Sequence, residues 1–202
     1  MKLSRDFYLQ DTLTVSKNLL GKILCRKKGD TVLKGLITEV EAYCGVTDKA
    51  CHSYNNRRTT RVEPMYKIGG TIYVYFIYGM YYCFNVVTRD TLQPEAVLIR
   101  SIEPINGIDI MSLNRYNKEF DSLSKSQKIN LTNGPGKICA ALSIDKHDSG
   151  KDLTGDEIWI EDIDYKDFKI RFSKRIGIEN TEEAKDYLYR MILSRNNHSL
   201  DK

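Results

Sequence analysis

The chain has 202 residues, a formal net charge of +4 at pH 7 and a pI near 8.7. Its 41% hydrophobic and 29% charged residues match a water-soluble globular protein with a substantial core. No apolar run approaches the roughly 20 residues of a membrane span. The first residues, MKLSRDFYLQD, lack the apolar centre of a secretory signal. These features lead us to expect a cytoplasmic protein with one domain over 1–202.

Taken in chain order, Asp11 can cap a short helix over 12–20, closed by Gly21. Residues 22–26 read as a strand, Gly29-Asp30 as a turn, and 32–43 as a long return strand. A loop with Asp48, Lys49 and Ala50 leads into a basic, amide- and hydroxyl-rich segment. There Arg57, Arg58 and Arg61 stand beside Asn55, Asn56, Thr59 and Thr60. Such a loop suits phosphate contacts, or it is simply solvated. Residues 71–87, TIYVYFIYGMYYCFNVV, form two aromatic strands meeting at Tyr78-Gly79-Met80. A hairpin of this kind places a flat side chain at its tip, suited to stacking on nucleobases or inserting between them. The alternative is an ordinary core hairpin.

Residues 96–102 read as another strand, stopped by Glu103-Pro104. A helix is expected over 108–115, a mobile polar loop over 117–128, and a helix over 135–142 entered through Asn133-Gly134. Short strands are expected at 158–161 and 169–172, and a helix capped by Thr181 runs through Tyr187 with Glu182 and Glu183 in its first turn. Hairpin-linked strands with interspersed helices predict an α+β domain on a curved, mostly antiparallel, open-barrel-like sheet with a protruding aromatic hairpin.

Several residues stand out chemically. Period two puts Ile37, Glu39, Glu41 and Tyr43 on one strand face. A carboxylate beside a tyrosine can activate water or steady an oxocarbenium-like sugar, unless it only faces solvent on an edge strand. His52 can donate a hydrogen bond to a ligand or carry a proton, and a structural role is the alternative. Asn85 is the one carboxamide in its strand, so buried it needs partners. Arg100, the lone charge in VLIRSI, calls for a carboxylate, and Glu41 is an attractive one. In Asn133-Gly134-Pro135-Gly136-Lys137 the glycines admit a close backbone and the free N–H groups favour an anion. Ile138 follows Lys137, so this is no Walker loop, and a nucleic-acid phosphate fits better than a triphosphate. His147 and His198 lie in polar sequence and receive no role. The five cysteines include no C-x-x-C pair and read as reduced thiols. Cys44, Cys51 and His52 match no usual zinc spacing, and no fourth ligand is evident, so no metal is expected.

Together these segments resemble one family, the alkyladenine (3-methyladenine) DNA glycosylases. The resemblance rests on LLGKILCR (19–26), ITEVEAY (37–43), DKACHSYNNRRT (48–59), YVYFIYGMYYCFNVV (73–87), VLIRSIEP (97–104), NGPGKICAAL (133–142) and RIGI (175–178). These motifs follow the family order and span most of the chain. The resemblance implies a monomeric base-excision repair enzyme that binds damaged duplex DNA, flips out an alkylated purine and hydrolyses its glycosidic bond without cofactor or strand cleavage. It implies Glu41 as the base holding the attacking water and Arg100 as its helper. Tyr43 on one side and His52 with Tyr75 on the other would enclose the flipped base, with Asn85 guarding against guanine's exocyclic amine. Tyr78 would fill the gap in the stack, and Arg57, Met65 and Lys137 would face DNA. Beyond RIGI, residues 185–202 read KDYLYRMILSRNNHSLDK, without the family's usual Pro, Trp and Gly. A pure nucleic-acid-binding module on a related open barrel is the alternative, and it has no need of Glu41, Tyr43, His52 and Arg100 together.

Overall fold

A computed structural model describes residues 1–196. Helix α1 (Arg5–Tyr8) precedes α2 (Thr12–Leu19), which Asp11 caps by accepting from the Leu13 and Thr14 amides at 3.1 and 3.2 Å. The strands are β1 (Ile23–Lys28), β2 (Thr31–Tyr43), β3 (Ile72–Ile77), β4 (Tyr81–Thr88), β5 (Glu95–Asn106), β6 (Ile158–Glu161), β7 (Phe168–Ser173) and β8 (Arg190–Arg195). Helices α3 (Ile108–Tyr116), α4 (Lys125–Ile129) and α5 (Pro135–Ala141) lie between β5 and β6. Every strand pairing is antiparallel, in the order β3-β4-β5-β2-β1-β6. The α+β class and the curled, open sheet are therefore as the sequence implies.

The long strand β2 organises the molecule. One edge pairs with β5 along most of its length. The other edge is shared, with β1 on the first half and β8 on Glu39, Val40 and Glu41. Strand β7 then pairs only with β8. One face of the sheet packs on the main core, where α2, α3 and α5 contribute Leu19, Met111 and Ile138, all buried. On the other face a smaller cluster of Cys51, Val62, Met65, Tyr66, Tyr73, Val87 and Ala96 supports Tyr43 and Tyr75.

The structure corrects five local expectations. Strand β5 does not stop at Glu103 but runs to Asn106. Pro104 is tolerated because β4 covers only residues 95–98, leaving the rest of that edge without a ladder to break. The 117–128 segment is no featureless loop. It holds a 3-10 turn and the start of α4, whose Ser124 and Gln127 form a reciprocal capping box. Residues Glu182–Asp186 form a 3-10 turn rather than an α-helix, and the Thr181 hydroxyl donates to the Ile178 carbonyl instead of capping. Strand β8 and helix α1 were not expected at all. Both are short, and β8 is held by pairing with β2 about 150 residues away in sequence. Finally, Ile37 leaves the face of Glu39 and Glu41: an irregularity at Thr38 shifts its parity and buries it in the main core with Val40.

Candidate active site

Registers across five strands place one residue from each in a transverse row: Tyr73, Asn85, Leu98, Glu41 and Arg190. Directly opposed residues share a face, so this row lies on the side of the sheet away from the main core. Over it opens a cavity of about 870 Å³, within the usual size range of a small-molecule site. Tyr43, His52, Tyr75 and Asn85 line it, with the start of α5 and residues 176–181 closing other sides.

Arg100 reaches this face through a second irregularity. Glu39 pairs with Ser101 and Val40 with Ile99, so Arg100 is the unpaired extra residue of a bulge. Bulges re-aim side chains next to functional sites. Here Arg100 donates to Glu39 at 3.1 Å and to Glu41 at 3.3 Å. Glu39 also accepts from Arg190 on β8, at 3.2 Å.

Glu41 is 0% exposed. Its Oε1 accepts the Ile176 amide at 2.8 Å. Its Oε2 accepts the Tyr43 hydroxyl at 3.0 Å and Arg100 at 3.3 Å. A carboxylate offers about four lone-pair directions, so three donors leave room for one more, such as a water. Burial pushes the Glu41 carboxyl above its ordinary value, and Arg100, the Ile176 amide and the Tyr43 hydroxyl pull against it. The result is a carboxylate more basic than a surface glutamate, held at fixed geometry.

The aromatic walls are equally constrained. The His52 ring meets Tyr75 edge-on, with centroids 4.6 Å apart, and His52 Nδ1 pairs with the Tyr73 hydroxyl at 2.9 Å. Burial, then Arg61 and Arg57, push the His52 pKa down to about 4. His52 is therefore neutral at pH 7, which favours hydrogen bonding to a ligand over proton delivery. Arg61 stacks 5.1 Å from the Tyr75 ring centre. Asn85 is 3% exposed and donates both amide hydrogens to backbone, to the carbonyls of Tyr73 at 3.0 Å and Cys83 at 3.2 Å. That arrangement leaves its side-chain oxygen as the atom available to a ligand.

The remaining predicted positions are more dispersed. Tyr78 stands at the hairpin tip, 78% exposed, on a turn where Tyr78 and Gly79 have φ of 53° and 68°. The Met80 amide closes that turn on the Ile77 carbonyl, the pattern of a primed hairpin turn. Arg57 is exposed and makes no ion pair among the described residues, whereas Arg58 is tied to Glu63. Met65 is only 2% exposed: it packs in the small cluster and lines the cavity from inside rather than facing outward. Lys137 is held at the rim by the side-chain oxygens of Asn130 and Asn133, at 2.6 and 2.7 Å. The glycine before it has a packing reason, because a Cβ on Gly136 would meet the Tyr81 Cβ at 2.9 Å. All five cysteines are free thiols, and burial pushes Cys25 and Cys44 up to about 12. His147 is exposed, and His198 lies outside the described residues.

Inspection of residue types alone missed the contribution of Ile176. Its role belongs to the backbone N–H, so side-chain chemistry carries no signal; only the RIGI motif marked the place.

A sheet-borne pocket with aromatic walls, and a buried glutamate hydrogen-bonded to the Tyr43 that lines it, is the setting in which the comparisons fall. The sequence matches the family described as methylpurine-DNA glycosylase over residues 6–197, and the chain belongs to that family. A Clostridium novyi protein is 53% identical over 192 residues, covering 95% of this chain and 94% of the relative. Relatives from Clostridium acetobutylicum and Clostridium perfringens are 50% and 49% identical, each covering 97% of this chain and 96% and 97% of their own. All three carry the name "Putative 3-methyladenine DNA glycosylase". Among the described residues no helix is long and apolar enough to cross a membrane.

Proposed function

We propose that this protein excises alkylated purines, such as 3-methyladenine, from duplex DNA by flipping the damaged nucleotide into the pocket and hydrolysing its glycosidic bond. The observation that carries this is Glu41, fully buried among the aromatic walls, with three donors and one lone-pair direction open. In the reaction a water on Glu41 attacks C1′ and gives its proton to the carboxylate. The C1′–N bond breaks with its electron pair going to the base, leaving an abasic sugar. Arg100 steadies the carboxylate and the water. A cationic N-alkylated base departs neutral, so it needs no acid, and its charge is attracted by the faces of Tyr43 and Tyr75.

Flipping costs a few kcal/mol, least for a damaged base, and stacking of about 1–3 kcal/mol per aromatic contact offsets it. Tyr78 enters the duplex and occupies the vacated space. Asn85, immobilised by its two backbone bonds, crowds the exocyclic amine of guanine. Arg57 and Lys137 supply backbone contacts, so duplex affinity falls as salt rises. Lys137, tied to two carboxamides, is not presented as a free amine for Schiff-base chemistry, and the product is an intact strand with an abasic site.

The test is incubation with duplexes carrying defined lesions, followed by mass identification of the released base and alkaline cleavage at abasic sites. Release of 3-methyladenine, with strand breaks only after alkali, is the expected result. Tight lesion binding without any base release would instead establish a binding module.

A further inference from the structure

Arg175 is absent from the pocket wall yet lies directly behind it. Its side chain is 0% exposed and pairs with Asp48, itself 2% exposed, through both terminal nitrogens. The same guanidinium donates to the carbonyls of Ala42 at 2.8 Å and Ala184 at 3.2 Å. It stacks 4.8 Å from the Tyr43 ring centre and 5.3 Å from that of Tyr189. Asp48 in turn accepts the Cys44 amide at 3.0 Å and the Ala50 amide at 3.1 Å, ordering the loop that leads to His52. One buried ion pair therefore joins three segments: the end of β2, the 44–52 loop and the 175–184 loop.

The next residue after Arg175 supplies the amide that binds Glu41. The geometry points to Arg175 as a positioning residue for hydrolysis, locking the 175–184 loop so that the Ile176 N–H stays on Glu41 and the Tyr43 ring stays in the pocket wall. This assignment rests on Glu41 being the base. It predicts more than structural support, because an N–H bond to a carboxylate favours the charged form, and losing it raises the carboxyl pKa.

Arg175→Lys keeps the charge but cannot span two oxygens and two carbonyls. In single-turnover excision we expect a rate loss of roughly 10- to 100-fold, the scale of an ångström-sized misplacement. Affinity for a duplex with an abasic-site analogue stays within about threefold of wild type, since no contact to DNA is removed. The acid limb of the pH–rate profile moves to higher pH. A second variant replaces the Arg175–Ile176 amide by an ester, deleting only the N–H. It shifts the acid limb in the same direction with Arg175 intact, and it carries the test alone if Arg175→Lys fails to fold. An unmoved acid limb in either folded variant overturns the assignment. A wild-type protein that releases no base sinks the role of Glu41 instead.

Discussion

The Glu41 corner and the Tyr78 hairpin tip belong to the same site and are built in opposite ways. At the corner, every charged group has partners and almost no solvent: Glu41, Arg175 and Asp48 are all buried and multiply bonded. At the tip, Phe76, Tyr78, Met80 and Tyr81 are all exposed, Phe76 and Tyr81 on the paired strand ends and Tyr78 on the turn between them. Chemistry at a sugar carbon needs donors placed in advance, because reorganising them during reaction raises the barrier. Entering a base stack needs an apolar wedge free of protein contacts. Under the proposed mechanism, the contrast separates residues whose loss should stop the reaction from residues whose loss should weaken capture.

The largest effect is expected at the corner. Glu41→Gln should cut single-turnover base release by about 10²- to 10⁴-fold while lesion-duplex affinity persists. Excision at the wild-type rate would remove Glu41 from the mechanism. Because the base must be ionised, wild-type kcat/KM should rise with pH through the Glu41 pKa, which lies above that of an ordinary glutamate.

His52 gives the next effect, read in stability. Its pKa is about 4 when folded against 6.5 in the free side chain. Between those values the unfolded chain binds the extra proton, so stability rises with pH across this window and is lost on acidification. From pH 7 to 4, wild type should lose roughly 3 kcal/mol more than His52→Gln in denaturant titrations. Parallel curves would show that His52 is not held neutral.

At the tip, Tyr78→Ser should weaken lesion-duplex binding by roughly tenfold, about one stacking contact. The melting temperature should change little, because the side chain is exposed. Unchanged affinity would deny the wedge role, and a large loss of stability would mean that the tip is not the independent element it resembles.

Much of the site was legible from short-range pattern. Alternation put Glu41 and Tyr43 on one face, and their side chains are hydrogen-bonded at 3.0 Å. The hairpin, with Tyr78 at its turn, lies where the aromatic run and Gly79 imply. The pairing of Arg100 with Glu41 follows from charge, but the bulge that makes it possible depends on the β2–β5 register. Met65, expected to face DNA, is instead buried in the pocket wall, because the 3-10 turn Glu63–Tyr66 that carries it packs it in the cluster against Tyr43 and Tyr75.

Sequence by itself determined the residue types, the alternation of β2 and the aromatic hairpin, since these depend on neighbours a few positions apart. Only the tertiary structure decided how Glu41 is held. Its amide partner at Ile176 is 135 residues away, the Arg175–Asp48 pair spans 127, and β8 exists by pairing with β2. Such contacts depend on chain closure and on backbone groups that every residue shares, so residue identity alone cannot mark them.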